Sequence, residues 1–319
     1  KENQNIFITG ISGMIGYHSA KMYNELGWKV TGIDDFNNYY DVKLKGAREA
    51  ILNGIGINVI DGSIQDPESY RDVMAEADVV LHLAAYANPR HSLEFPQMYI
   101  DTNITGTQRL IEATQKAGTP KVVYASSSCV MHGQPLPWNE HDLSHHQNNA
   151  YGWSKRVNEC QFMYSRLSKT AGLRFFTVYG PWGRPDMALF LFADAIVKGT
   201  PLTLFNYGDM KRDFTYVEDI VQGVVLVTDD LIAKEDDKSH EIYNIGYGNK
   251  VNLMDFVNHI ETNFGRKGVY DMQPAHPADV PETWSDTTKI RKLGYNPKTP
   301  VGRGVYEFVA WYKDYYNVN

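Results

Sequence analysis

Cysteine is nearly absent from this sequence, since Cys129 and Cys160 are the only two in 319 residues. Two cysteines cannot build the disulfide framework of a small secreted domain, and their spacing matches no metal-binding motif. We therefore expect a reducing compartment, the cytoplasm. Long apolar runs are absent as well, because none reaches the roughly 18 residues that are needed to cross a bilayer. The sequence predicts neither a disulfide-rich protein nor a membrane protein.

A surplus of basic residues is also missing. Lys and Arg number 31 against 38 Asp and Glu, which gives a net charge of −7. This balance argues against nucleic-acid binding, although a local basic pocket for an anionic ligand remains compatible with it. His141, His145 and His146 lie in a polar stretch without ligand spacing, so no metal site is predicted. The acidic run at residues 235–238 predicts a solvated loop.

The composition that remains is that of a globular protein. Hydrophobic residues make up 43% of the chain and charged residues 22%, which predicts a packed core. The length allows two domains, or one large α/β domain with an appended lobe. The sequence contains no internal repeat.

The first forty residues carry a strand–helix–strand pattern. The apolar run Asn5–Thr9 predicts a buried parallel strand, and a helical pattern follows over Ile15–Leu26. A second strand is predicted over Lys29–Ile33 and closes on Asp34. Three glycines at three-residue spacing join the first strand to the helix: Gly10, Gly13 and Gly16.

This pattern predicts a dinucleotide site. Glycines allow a tight turn and a close approach of the backbone to a pyrophosphate, which binds at the helix N-terminus. Asp34 lies where a carboxylate can accept hydrogen bonds from both hydroxyls of the adenosine ribose. Because a carboxylate there repels a 2′-phosphate, NAD is favoured over NADP.

Tyr151 and Lys155 are four residues apart, about one helical turn, so on a helix they project from the same face. An ammonium beside a phenol lowers the pKa of the phenol towards the range of a general base. A second cation would help, since the required shift is about 3 pKa units. The same spacing also occurs on the packed face of an ordinary amphipathic helix.

Taken together, these motifs resemble the extended short-chain dehydrogenase/reductase family over nearly the whole chain. Leu81–Ala85 is similar to the family's fourth strand, Lys121–Ser128 to the strand that ends in hydroxyls, and Asn103 to its helix asparagine. The resemblance implies a doubly wound, mostly parallel Rossmann-type sheet with a smaller substrate lobe. It also implies a set of NAD-binding residues: Gly10, Gly13, Met14, Ile15, Gly16, Asp34, Lys45, Ser63, Ile64, Leu83, Ala84, Ala85, Asn103, Tyr151 and Lys155.

Two local departures from the family leave alternatives open. The family usually has Asp-Ile after the third strand, whereas this chain has Ser63-Ile64, so either Ser63 or Asp61 contacts adenine. At the end of the later strand, alignment makes Ser127 the catalytic partner of Tyr151, with Ser128 next to the substrate. The family then expects Val-Tyr-Gly, whereas this chain has Val130-Met131-His132-Gly133, which indicates a one-residue insertion and loss of the Tyr. An insertion earlier in the chain would instead make Ser128 that partner.

The resemblance also narrows the reaction. Sugar dehydratases of the family carry Asp-Glu after the catalytic hydroxyl, and nucleotide-glucuronate decarboxylases usually carry Glu there. This chain has Ser128-Cys129 and no carboxylate. The expected chemistry is therefore reversible oxidation at C4 without elimination.

Three stretches resemble UDP-glucuronate 4-epimerases in particular: residues 37–45, 173–188 and 208–217. By that resemblance Thr177 and Arg184 receive the sugar carboxylate, Arg212 binds the diphosphate, and Asp279 lies near the ribose. Thr203 and Phe205 belong to the edge segment that cradles uracil. The complete set of implied substrate-binding residues follows: Arg90, Ser127, Ser128, Thr177, Arg184, Thr203, Phe205, Arg212 and Asp279.

The resulting expectation is an NAD-dependent epimerase that interconverts UDP-glucuronate and UDP-galacturonate. The expected NAD-binding domain spans residues 1–180 plus about 213–243, and the nucleotide-sugar lobe about 181–212 plus 244–319. The family further implies a homodimer. An epimerase for another UDP-sugar, and a non-catalytic NAD-binding protein, remain the alternatives.

Overall fold

The computed structural model describes residues 4–118, 121–235 and 238–318. Asp236 and Asp237, within the acidic run predicted as a loop, lie outside the described residues. The strands of the described chain are β1 Asn5–Thr9, β2 Lys29–Asp34, β3 Asn58–Asp61, β4 Val79–His82, β5 Lys121–Ser127, β6 Lys169–Phe175, β7 Thr177–Tyr179, β8 Pro201–Leu204, β9 Lys211–Arg212, β10 Phe214–Tyr216, β11 Ser239–Ile245, β12 Val251–Asn252 and β13 Val269–Met272.

The helices alternate with these strands over the first two thirds of the chain. They are α1 Met14–Glu25, α2 Val42–Gly54, α3 Arg71–Met74, α4 Pro89–Glu94, α5 Pro96–Tyr99, α6 Thr107–Ala117, α7 Ala150–Tyr164, α8 Ala188–Lys198, α9 Val217–Ala233, α10 Leu253–Phe264, α11 Thr288–Arg291 and α12 Val301–Tyr316. A π-helical segment, Ile100–Gly106, leads directly into α6.

Seven strands form one parallel sheet in the order β11-β6-β5-β4-β1-β2-β3. The order reverses between β1 and β4, which is the switch point of a doubly wound sheet, where ligands bind at the carboxyl ends of the strands. This confirms the predicted Rossmann-type fold. The predicted helix after the glycines begins at Met14, one residue earlier than expected, and β5 ends at Ser127.

Both faces of this sheet are covered, as a parallel sheet requires. Successive side chains of a strand point to opposite faces. In β5, Val122 and Tyr124 pack in the apolar cluster on one face, while Val123 packs in the cluster on the other. Full burial of each such side chain contributes about 1.5–3 kcal/mol to the free energy of unfolding.

A separate apolar cluster lies in the later part of the chain. It gathers side chains of α8, α10 and α12, and Phe214 stacks on Phe256 with ring centroids 4.0 Å apart. The intervening α9 and β11 return to the large sheet, where β11 pairs with β6. Ile290 and Tyr295 also pack in a sheet cluster. The chain therefore crosses more than once between the two packed regions.

Within the described residues, no helix is both long enough and apolar enough to span a membrane.

A buried ion pair connects α7 to strands β5 and β6 of the sheet. Glu159 on α7 accepts hydrogen bonds from Arg174 Nε at 2.8 Å and Nη2 at 3.1 Å, and from Ser126 Oγ at 2.7 Å. The Glu159 and Arg174 side chains are only 1% and 2% exposed. The cluster therefore ties α7 to the ends of β5 and β6, next to Ser127.

Replacement of Glu159 by Ala should lower the free energy of unfolding by about 3–5 kcal/mol, because the Arg174 guanidinium would stay buried without its partner. Urea unfolding followed by circular dichroism measures this loss. Glu112→Ala, at an exposed carboxylate on α6, is the matched control and should change stability by less than about 0.5 kcal/mol. Equal losses in the two variants would contradict the role given to the buried pair.

Candidate active site

A cavity of about 340 Å³ lies at the carboxyl ends of the sheet strands, on the switch-point side. It is lined by seventeen of the residues predicted from the sequence: Gly10, Gly13, Met14, Ile15, Gly16, Asp34, Lys45, Ile64, Leu83, Ala84, Ala85, Ser127, Ser128, Tyr151, Lys155, Thr177 and Arg184. Seven others do not line it: Ser63, Arg90, Asn103, Thr203, Phe205, Arg212 and Asp279.

The turn after β1 requires glycine at two positions. Gly10 has φ +69°, and a Cβ there would lie 2.9 Å from Ala84 N. A Cβ on Gly16 would lie 2.1 Å from Gly10 O, so the helix packs directly on the turn. No side chain of the described residues caps α1 at Gly13. The helix N-terminus therefore faces the cavity with room for a pyrophosphate, which fits NAD.

Asp34 lies at the end of β2 with both oxygens partly engaged. Oδ2 accepts from Ser12 N and Oδ1 from Phe36 N, each at 3.1 Å, and Lys45 Nζ is 3.8 Å from Oδ1. Burial raises the pKa of Asp34, and the Lys45 charge opposes this. Each oxygen keeps acceptor capacity, so the carboxylate can receive two ribose hydroxyls.

The adenine end follows the loop after β3. Gly62 and Ile64 line the cavity there, while Ser63 Oγ accepts from Gln65 N at 3.2 Å. Neither Ser63 nor Asp61, the two candidates for an adenine contact, is a lining residue.

Ser127, Tyr151 and Lys155 meet at the centre of the cavity. Asn149 caps α7 by accepting from Gly152 N at 2.8 Å, which places Tyr151 in the first turn above the end of β5. The Ser127 side chain hydrogen-bonds to the Tyr151 phenol. Lys155 Nζ donates to Ala125 O at 3.1 Å. Since Ser126 turns to Glu159, Ser127 is the strand-end hydroxyl that reaches the phenol.

The electrostatics of this centre are dominated by burial. Burial raises the pKa of Tyr151 above its usual value, with the hydrogen bond from Ser127 and the charge of Arg184 acting in the opposite direction. Burial lowers the pKa of Lys155 to about 8. Arg184 is therefore a second cation near the phenol, as the sequence analysis indicated would help.

Asn103 supports the site from behind. Its Nδ2 donates to Tyr86 O at 2.9 Å and Ser154 Oγ at 3.0 Å, and its Oδ1 accepts from Tyr86 N at 2.9 Å. Tyr86 lines the cavity, whereas Asn103 is fully buried. The asparagine therefore positions the loop after β4 against α7, and the π-helical turn supplies the register for this contact.

Thr177 and Arg184 line the far end of the cavity, where the sequence reasoning placed the sugar. Arg184 forms a bidentate pair with Asp186, with Nε–Oδ1 at 3.0 Å and Nη2–Oδ2 at 2.6 Å. The guanidinium is thus held in place, and its charge is compensated by a residue outside the cavity lining.

Four of the residues outside the lining form a cluster of their own. Arg90 pairs with Asp279, Nη2–Oδ2 2.6 Å, and its guanidinium lies 3.9 Å from the centroid of the Phe205 ring. Burial lowers the pKa of Arg212, and the Asp279 carboxylate opposes this. Thr203 is an exposed residue of β8, two positions before Phe205. This arrangement supplies cations and an aromatic face beyond the cavity.

Sequence reasoning missed a thiol–imidazole pair beside the phenol. Cys129 lines the cavity, and both Cys129 and His132 are buried. Burial raises the pKa of the thiol, but the charge of the neighbouring His132 outweighs it, so the pKa of Cys129 lies below its usual value. The one-residue insertion after Val130, which the family comparison indicated, was the available signal.

Among the described residues, no group of His, Cys, Asp and Glu side chains could hold a metal ion. His141, His145 and His146 are exposed.

Comparison with known proteins defines the class. The sequence profile of the NAD dependent epimerase/dehydratase family matches residues 6–246. The chain belongs to this family, and NAD is its cofactor.

The more specific relatives share one activity by name. A probable UDP-glucuronate 4-epimerase of Rhizobium meliloti is 37% identical, over 97% of each chain. UDP-glucuronate 4-epimerase 1 of Arabidopsis thaliana is 36% identical over 98% of this chain and 78% of its own length. The crystal structure of UDP-glucuronic acid 4-epimerase from Bacillus cereus, in complex with UDP-glucuronic acid and NAD, superposes with a TM-score of 0.90 at 28% identity. That match covers 98% of this chain and 100% of the other.

Because Cys129 shares the cavity with Tyr151, alkylation of its thiol by iodoacetamide should inactivate the enzyme. A UDP-sugar at ten times its Kd should slow labelling roughly tenfold, since it occupies the same space. Peptide mass spectrometry locates the label and counts it. Cys160→Ser, at a residue outside the cavity lining, should remain sensitive, and Cys129→Ala should not. Equal labelling of Cys129 with and without ligand would contradict this placement.

Proposed function

We propose that this chain is a UDP-glucuronate 4-epimerase that interconverts UDP-glucuronate and UDP-galacturonate. The observation that carries the proposal is one cavity holding a glycine turn with Asp34 at one end, Tyr151 with Ser127 and Lys155 at its centre, and Thr177 with Arg184 at the other. The names of the relatives in Rhizobium meliloti, Arabidopsis thaliana and Bacillus cereus support this substrate.

Bound NAD supplies reversible oxidation at C4 of the sugar. The chain's own part is to move the O4 proton: Tyr151 accepts it as phenolate and returns it as phenol. Ser127 hydrogen-bonds to Tyr151 and is placed to hold O4 beside it. Lys155, one helical turn away, stabilises the phenolate form of Tyr151 that accepts this proton.

Elimination lacks the groups it needs at this centre. The only carboxylates among the described lining residues are Asp34 and Asp35, at the cofactor end of the cavity. A dehydratase requires an acid for the leaving hydroxyl and a base for the carbon-bound proton. The 4-keto sugar is therefore expected to rotate in the cavity about its diphosphate bonds and to be reduced on its other face.

The sugar and nucleotide contacts follow from the same placement. Thr177 and Arg184 receive the carboxylate, and Ser128 lies beside the sugar. Orientation has to protect the 4-keto uronate, a β-keto acid, because it loses CO2 when the carboxyl bond aligns with the carbonyl π system. Beyond the cavity, the cluster around Arg90 and Arg212 receives the UDP: Arg212 binds the diphosphate, Thr203 and Phe205 cradle the uracil, and Asp279 contacts the ribose.

One observation favours a second candidate, a 4-epimerase of a neutral UDP-sugar. Arg184 is already paired with Asp186, so the sugar end is not an unpaired cation that demands an acidic sugar. The ratio of kcat/KM for UDP-glucuronate to that for UDP-glucose decides between the two substrates.

We also propose a division of labour along the chain. Residues 1–180 plus about 213–243 bind NAD, and about 181–212 plus 244–319 bind the nucleotide sugar. The return of α9 and β11 to the sheet and the separate apolar cluster of α8, α10 and α12 support this division. The two free thiols support a reducing, cytoplasmic setting.

A homodimer is the proposed assembly. Apolar side chains stand exposed on and beside α4 and at the end of α7, and these two helices pack together: Leu93, Phe95, Met163 and Tyr164. Light scattering at micromolar concentration should give twice the mass of the chain. A monomer at that concentration would remove this part of the proposal.

Incubation of the NAD-loaded protein with UDP-glucuronate should produce UDP-galacturonate. Proton NMR of the sugar measures this conversion. Turnover without net consumption of NAD is expected, because the reduced cofactor is reoxidised in each cycle. Accumulation of a pentose with CO2, or no galacto product, would sink the proposed reaction.

Tyr151→Phe removes the phenol oxygen and should lower kcat by roughly 10²–10⁴-fold, the contribution of a positioned acid–base group. The thermal midpoint and the bound NAD should be retained, because the ring keeps its place in α7. Full activity in this variant would exclude Tyr151 as the proton carrier.

A further inference from the structure

Asp186, in the loop between β7 and α8, accepts four hydrogen bonds. Its Oδ1 accepts from Arg184 Nε, and its Oδ2 accepts from Arg184 Nη2, from Tyr39 OH at 2.9 Å and from Asn88 Nδ2 at 3.0 Å. Burial raises the pKa of this carboxyl, but Arg184 outweighs it and holds the pKa below its usual value. Asp186 is therefore a charged carboxylate with three partners from separate loops.

The pairing with Asp186 uses only some of the N–H donors of the Arg184 guanidinium. Nε and one position of Nη2 are used by Asp186, so Nη1 and the second Nη2 hydrogen remain as donors. Arg184 lines the cavity and Asp186 does not. A substrate carboxylate would thus meet hydrogen-bond donors whose positive charge is already balanced, instead of the tight bidentate ion pair that an unpaired Arg forms.

We propose that Asp186 is a specificity-determining residue that limits how strongly the sugar pocket holds a substrate carboxylate. This rests on the proposed epimerase function, in which the 4-keto sugar rotates in the cavity between its oxidation and its reduction at C4. A carboxylate locked on Arg184 would resist that movement, because tight binding of one ground-state pose does not speed catalysis. Asp186 lies outside the cavity lining and acts by positioning and neutralising Arg184.

Binding to NAD-loaded protein in the Tyr151→Phe background, where turnover is blocked, tests the proposal. Calorimetry gives the Kd of UDP-glucuronate and that of UDP, which lacks the sugar. Asp186→Asn keeps the shape of the side chain and removes its charge. The Kd of UDP-glucuronate should fall about tenfold, the size of one charge-assisted hydrogen bond, while the Kd of UDP stays unchanged. With Tyr151 restored, Asp186→Asn should lower both KM and kcat for UDP-glucuronate.

Two further variants separate charge from architecture. Tyr39→Phe removes one hydrogen bond to Asp186 but keeps its charge, so the ratio of the two Kd values should change by less than about twofold. Arg184→Gln with Asp186→Asn should abolish the gain, because the gain requires the arginine charge. Asp186→Ser, with the same expected ratio, replaces Asp186→Asn if that variant is not recovered folded with NAD.

A folded Asp186→Asn protein with an unchanged ratio of the two Kd values would overturn the proposal, as would a gain that persists without Arg184. A purely structural role would weaken UDP and UDP-glucuronate together. The ratio of the two Kd values reports the effect of Asp186 even if the wild-type protein fails to epimerise UDP-glucuronate. The role of Asp186 and the proposed epimerase function can therefore fail separately.

Discussion

The buried pair of Glu159 and Arg174 is the interaction on which the geometry of the catalytic centre depends. Tyr151, Lys155 and Glu159 follow at four-residue spacing along α7 and form one stripe towards the sheet. Glu159 binds Arg174 of β6 and Ser126 of β5, and Lys155 binds Ala125 O one turn earlier. The helix cannot slide along β5 without breaking charged contacts in a dry interior, so the phenol stays over Ser127.

A second buried arginine links the two ends of the cavity. Arg48, on α2, donates to Ser12 O in the glycine turn at 2.8 Å, and to Trp182 O and Gly183 O at 2.5 and 3.2 Å. The last two residues lead directly to Arg184. The cofactor turn and the sugar loop are thereby held by one fully buried guanidinium. This explains how residues separated by more than 160 positions keep a common cavity although they belong to different packed regions.

Local patterns were enough to predict the first strand, the helix after the glycines and the shared helix face of Tyr151 and Lys155, because each depends on neighbours within a turn or a strand. The expectation of β5 came from the family resemblance. Local patterns could not predict partners. Arg90 pairs with Asp279, 189 residues away, and Arg184 turns to Asp186 instead of remaining an unpaired cation. Cys129 and His132 looked like departures from a motif, and only packing showed that they meet. The π-helical turn at Asn103 was likewise invisible, since the sequence reads there as ordinary helix.

The sequence by itself determined the sheet type, the cofactor class and the shared helix face of Tyr151 and Lys155, since glycine turns, strand-end acids and helical spacing are short-range consequences of backbone geometry. Tertiary structure decided the charge states and the pairing. Burial raises the pKa of Tyr151 and lowers that of Lys155, so it disfavours the charged form of each. Asp186 balances the charge of Arg184 that was expected to meet the sugar. Both effects depend on how much water is excluded and on which distant loop supplies the partner. These are properties of the packed interior, and they appear only when the chain has folded.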